Sequence, residues 1–124
     1  MAKYEFKVSV RSRFVPERSN PADDQYLFAY TIQVANSGEV RARLLSRHWV
    51  ITDGSGHVEE VRGPGVVGEQ PHLSPGESFE YTSACPLPTP YGTMRGSYQC
   101  EADDGTRFDV PIPEFVLSMP RVLH

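Results

Sequence analysis

Alternation of apolar and polar residues is the dominant pattern of this chain. Tyr4, Phe6, Val8 and Val10 fall on one face of residues 3–15, while Lys3, Glu5, Lys7, Ser9, Arg11 and Arg13 fall on the other. That period of two predicts a strand, and its charged outer face suits a sheet edge, where charges discourage pairing with a second molecule. Pro16 to Asp24 has two prolines and no period, and reads as a loop. Tyr26, Phe28, Tyr30, Ile32 and Val34 then alternate without a fault. Leu27 and Ala29 make the opposite face partly apolar, so this strand is expected at a sheet centre. Asn36-Ser37-Gly38-Glu39 closes it as a turn.

Residues 39–53 are ambiguous by propensity. Glu39 to Arg47 contains good helix formers, yet it runs unbroken into His48-Trp49-Val50-Ile51-Thr52, which is rich in β-formers. Read as strand, Val40, Ala42 and Leu44 share a face, and the apolar phase slips between Leu44 and Leu45. One extra residue, a β-bulge, restores it. Asp53-Gly54-Ser55-Gly56 predicts a hairpin turn, followed by a returning strand over 57–62. A stretch rich in glycine and proline follows, Gly63 to Gly76. Phe79 and Tyr81 alternate over 77–84, and Met94, Gly96, Tyr98 and Cys100 alternate after the proline-rich segment 86–92, which is expected to be irregular. Phe108, Val110 and Ile112 form the last clear strand, placed at an edge or a strand end by Pro111 and Pro113. Seven strands, short turns and no convincing helix predict an all-β fold. Two antiparallel sheets packed as an immunoglobulin- or fibronectin III-like β-sandwich satisfy that pattern.

Composition changes this picture little. The 124 residues suffice for one domain with one core, spanning 1–124. Sixteen acidic against twelve basic side chains leave a net charge of −4, which argues against a nucleic-acid surface. No apolar run approaches a membrane span, and the first residues lack the apolar core of a secretory leader, so the cytoplasm is the expected compartment. Cys85 and Cys100 lack metal-ligand spacing, and two cysteines in that compartment are expected to be reduced and packed.

Candidate chemistry is sparse. Gly63-Pro64-Gly65-Val66-Val67-Gly68 has the letters of a G-x-G-x-x-G phosphate loop. The mechanism of that motif needs a helix after it, and here Pro71 and Pro75 follow. Pro64 removes a backbone donor and Glu69 adds a negative charge beside it. The plain reading is a structural loop whose glycines supply left-handed backbone. The functional reading is a stiff protein-recognition loop made of Gly63, Gly65, Val66, Val67, Gly68, Glu69, Gln70 and Pro71, with Val66 and Val67 as contact surface. Arg47 and Trp49 form a second candidate recognition patch, because both residue types are enriched at interface hot spots; the plain reading of Trp49 is a core anchor. His48 and His57 could face each other across the hairpin with Asp53 or Glu59 nearby, but neither they nor His72 and His124 have metal-ligand spacing. No nucleophile elbow, acid–base pair or cofactor motif is legible, so no catalytic, cofactor or metal residues are assigned and a non-catalytic domain is expected.

Several segments together carry a family resemblance: Asn36-x-Gly38, Leu44 to Asp53, Gly63 to Pro71, Leu73-Ser74-Pro75-Gly76-Glu77, Tyr81-Thr82-Ser83 and Gly92-x-Met94-x-Gly96-x-Tyr98. In this order, over about residues 4–120, the chain closely resembles the ApaG family. Ala84 departs from it, standing where the family usually has glycine. The resemblance implies a fibronectin III-like sandwich and a small bacterial cytosolic protein. It also implies kinship with a domain of eukaryotic F-box proteins and of a polymerase-interacting protein, where it looks like a protein-recognition module. A bacterial gene neighbourhood with a diadenosine tetraphosphatase and a link to divalent cations accompany the family, and no enzymatic activity comes with it. The expectation is therefore recognition of a protein partner, with a homodimer through sheet edges also allowed and neither nucleic acid nor membrane involved. The alternative is a small-ligand or divalent-cation binder in nucleotide or cation homeostasis.

Overall fold

A computed structural model describes residues 2–120. Eight strands occupy most of them: β1 (Phe6–Phe14), β2 (Tyr26–Asn36), β3 (Ala42–Asp53), β4 (Val58–Pro64), β5 (His72–Leu73), β6 (Ser78–Leu87), β7 (Tyr91–Ala102) and β8 (Arg107–Ser118). Two antiparallel sheets face each other as a sandwich. One is β1-β2-β6; the other is β4-β3-β7-β8, with β5 also paired to β3. Among the described residues, no helix is long and apolar enough to cross a membrane.

The strand faces follow the sequence pattern. β1 is an edge and β2 is central, flanked by β1 and β6. Phe28, Ile32 and Val34 of β2 are fully buried, and meet Leu44, Met94, Tyr98 and Leu117 from the opposite sheet in one core. Trp49 stands edge-on to Tyr30 and to Phe115, with ring centroids 5.6 and 5.9 Å apart, so three strands from two sheets share one aromatic contact. Deep in the same core, the hydroxyls of Tyr81 and Tyr98 hydrogen-bond to each other at 2.5 Å across the two sheets. Cys85 and Cys100 are both buried and unbridged.

Asn36 is the one buried polar side chain of the described residues. Its amide donates to the carbonyls of Val40 (2.9 Å) and Leu73 (2.8 Å), and its side-chain oxygen accepts from the Gly38 amide (2.9 Å). The side chain thus ties the β2–β3 turn to β5. A Cβ on Gly38 would lie 2.6 Å from the Lys3 carbonyl oxygen, which accounts for glycine there.

Three features depart from the sequence expectation. There are eight strands where seven were expected, because two residues of the glycine–proline stretch pair with β3 as β5. Segment 86–92, expected to be irregular, is largely strand: β6 runs through Pro86 to Leu87, and β7 starts at Tyr91. β8 takes the edge position expected from Pro111 and Pro113 and departs only in continuing past them to Ser118. The reason is the same in both cases. β6 and β8 are sheet edges, and a proline there need not supply a ladder donor. On β8, Pro113 and Glu114 also sit at a register shift opposite Arg95, a bulge that bends the edge.

Candidate functional site

The bulge in β3 and the glycine stretch are one structural unit. Ala42 and Arg43 pair with β5, whereas Ser46 to Thr52 pair with β4. Between the two lies Leu45, the extra residue skipped by the β7 register. The chain leaves the edge of β3 after Pro64, turns outside it, and returns at Pro71. The gap is closed at its base: the Gly65 amide and the Gln70 side-chain amide both donate to the Leu45 carbonyl, at 2.8 and 2.9 Å, and the Leu44 amide donates to the Pro71 carbonyl at 2.9 Å.

The excursion itself is a two-residue hairpin. Val66 and Glu69 exchange both backbone hydrogen bonds, at 2.8 and 2.9 Å, around Val67 and Gly68. Both central residues have positive φ, 44° and 82°, as a tight turn of the hand favoured between strands requires. A β-branched residue is a genuine outlier at such a φ. Gly65 is also left-handed, at 59°, and a Cβ there would run into the Glu69 carbonyl.

The two valines point opposite ways. Val66 was expected at the contact surface, but it is fully buried in the core; Val67 is exposed. Val66 is the paired residue that closes the hairpin, whereas Val67 lies in the turn itself, beyond the pair. The surface offered by the loop is therefore Val67 at the tip, with Gly68, Glu69 and Gln70 beside it, all exposed, while Pro71 is half-buried at the base. The amides of Gly65, Val66 and Glu69 are all engaged within the protein, which removes them from any phosphate-binding nest.

Arg47 and Trp49 share one face of β3 and line one cavity, with Trp49 at its base. They alternate with the outward His48; Trp49 is buried, whereas Arg47 is half-buried and reaches the surface. Arg47 also serves the hairpin. The ladder sets it opposite Gly63, and its guanidinium lies where a Gly63 side chain would be, 3.1 Å from the Cβ position. From there Nη1 donates to the carbonyls of Pro64 and Gly65, both at 2.9 Å. Gly63 is needed for this close approach, with no unusual backbone of its own.

The histidines are also apart. The ladder places Arg62, not His57, opposite His48, and His48 Nε2 meets Glu60 at 2.8 Å; His57 lies in the turn beyond Asp53. Asp53 is held below the usual carboxylate range by hydrogen bonds from the Ser55 hydroxyl and from the Ser55 and His57 amides, so its charge is committed to that turn. His72 bridges Arg43 (3.1 Å) and Asp103 (2.6 Å) at the foot of the hairpin. His124 lies outside the described residues. Among the described residues no three His, Cys, Asp or Glu side chains converge as a metal site. The bracing residues Leu45, Arg43 and His72 were missed from sequence. The phase slip at Leu45 was their only local signal.

Fold and site together define an all-β sandwich domain with a braced hairpin on the edge of its larger sheet. The sequence profile described as the ApaG domain matches residues 16–102. The "Protein ApaG" of Ralstonia nicotianae is 63% identical over 124 residues, covering 100% of both chains. That of Azoarcus sp. strain BH72 is 64% identical over 121 residues, covering 98% of this chain and 95% of its own. A crystal structure described as the putative ApaA protein from Bordetella pertussis superposes with a TM-score of 0.94 at 59% identity, covering 98% of each chain. The chain belongs to the ApaG domain family.

Proposed function

We propose that the domain is a non-catalytic protein-recognition module whose contact is the Gly63–Pro71 hairpin, with Val67 at its tip. One observation carries the reading. An apolar, β-branched side chain is exposed, 54% accessible, on a backbone conformation that disfavours it. Strain of this kind persists where the surroundings over-determine it, and it clusters at binding sites. Here the surroundings are explicit: Val66 pegged into the core, Leu45 and Pro71 closing the base, and Arg47 holding two carbonyls. A contact fixed this way loses little entropy on binding. The tyrosines and cysteines of the interior support no reaction chemistry in this reading. Burial pushes Tyr81, Tyr98, Cys85 and Cys100 upward, away from reactive ionised forms at neutral pH.

The test is affinity capture from extract of the native cells, with the full chain as bait and quantification by mass spectrometry. Val67→Asp changes the tip without touching the core, and Lys7→Glu changes the distant β1 face. Partners lost with Val67→Asp and kept with Lys7→Glu support the reading. A partner set unchanged by a folded Val67→Asp chain overturns it.

A further inference from the structure

The two sheets close on one side only. β1 lies against β8, where Phe6 meets Phe108 edge-on and the Ser12 hydroxyl donates to the Val116 carbonyl. On the other side the unpaired edges β4 and β6 stay apart, with a cavity of about 260 Å³ between them. Its floor is Tyr30, Trp49 and Cys85, and its mouth carries Arg47 and Glu59. A second cavity of about 160 Å³ continues it past Ile51 and Glu59 to Pro86 and Pro88. The two share Ile51, Glu59 and Pro86, so they form one groove running along the edge of β6.

The charges at the mouth differ in kind. Arg47 is tied to the hairpin carbonyls. Glu59 pairs with Ile51 across the ladder and therefore faces inward, yet among the described residues it has no ion-pair or hydrogen-bond partner. Its field reaches the groove floor, since it adds to the burial that pushes the Cys85 thiol up to about 11. The groove is apolar below and carries two carboxylates, Glu59 and Asp53, against one guanidinium, Arg47, with His57 at its far end; lying between two open strand edges, it is shaped for extended chain. Pro86 and Pro88 line this edge and, as prolines, offer no amide donor to an occupant there.

We propose that the β4–β6 groove binds an extended segment of a protein partner, with an apolar side chain on the Trp49–Cys85 floor and a neighbouring Lys or Arg at Glu59. This rests on the protein-recognition reading above and adds a second contact, next to the hairpin and joined to it through Arg47. An inward carboxylate on an edge strand also hinders pairing with another copy. That role needs only a charge, whereas peptide recognition needs a negative one.

The test pans a displayed library of random seven-residue peptides on the full chain. Enriched sequences are then synthesised and measured by fluorescence anisotropy against wild type, Glu59→Lys, Glu59→Gln and Val67→Asp. All these positions are exposed, so the variants keep the fold, which a thermal melt checks. The expected sequences pair a basic with an apolar residue. Glu59→Lys weakens them at least tenfold, Glu59→Gln weakens them less, and Val67→Asp leaves them within twofold. Amide shifts on binding are confined to Glu59–Val61 and Ser83–Cys85. The proposal is overturned if no peptide is enriched, if basic residues are not selected, or if Glu59→Lys binds as well as wild type. It is also overturned if peptides compete with a self-association seen by sedimentation, which assigns the groove to a second copy. Failure of the hairpin reading shows separately, as capture unchanged by Val67→Asp.

Discussion

Replacing Val67 by asparagine should make the protein more stable and its recognition weaker. Val67 sits at φ 44°, in the first central position of a two-residue hairpin closed by bonds of 2.8 and 2.9 Å. A non-glycine residue held in the left-handed region costs about 1–3 kcal/mol, and a β-branched one belongs to the upper part of that range. Asparagine adopts this conformation readily and does not carry the unfolded-state entropy of glycine. Against the relief stands the lost side-chain burial. Val67 is 54% exposed, so under half of the ~1.5–3 kcal/mol for burying an aliphatic side chain is at stake, about 1 kcal/mol. The net expectation is a gain of about 0.5–1.5 kcal/mol, or a few degrees in thermal midpoint for a chain of this length. Urea unfolding followed by tryptophan fluorescence reads it well, because Trp49 is buried beside Tyr30 and Phe115. Val67→Ile keeps both strain and contact and serves as the control near zero. A Val67→Asn chain less stable than wild type by more than about 0.5 kcal/mol would refute the reasoning, since the strain would then be smaller than the contact it exposes.

Other consequences follow from the same geometry. Asn36→Ala removes three hydrogen bonds at the β2–β3 corner and strands a buried carbonyl, a part-buried carbonyl and a buried amide; a loss of about 2–4 kcal/mol in urea unfolding is expected. Gly65→Ala places a Cβ against the Glu69 carbonyl at a left-handed φ and should cost at least about 2 kcal/mol. Burial holds Cys85 and Cys100 at about 11 and 12, above their unfolded values, so the stability they confer is complete below about pH 8.5 and declines as pH rises toward those values. Between pH 9 and 10 the expected slope is up to about 1.4 kcal/mol per pH unit for each thiol, and alanine at both positions should flatten it in a thermal-midpoint titration.

Much of this was legible in the residues, and the reasons differ by element. The strict alternation of Tyr26 to Val34 fixed both the strand and its central place, since both faces were apolar. The phase slip at Leu44–Leu45 located the bulge, because a period of two tolerates no silent insertion. The prolines of β6 misled, since a missing donor is harmless at an edge and edge position is a tertiary fact; the same rule applied to Pro111 and Pro113 placed β8 at an edge, where it lies. Trp49 was read in two ways because hot-spot chemistry and core packing use the same side chain; the ladder parity that buries it also sets Arg47 on the same face. Val66 and Val67 could not be told apart in a glycine-rich segment without knowing where the hairpin bond falls. Glu59 at the groove mouth was hidden for the same reason, as its inward direction depends on pairing with Ile51.

The central claim is that Val67 touches a partner protein. A photoreactive benzoylphenylalanine placed at residue 67 of the full chain in its native cells, with residue 7 on β1 as control, tests it at the residue itself. The account predicts a discrete higher-mass adduct from position 67 on irradiation, absent from position 7. No adduct at 67, or the same adducts from both positions, would contradict it.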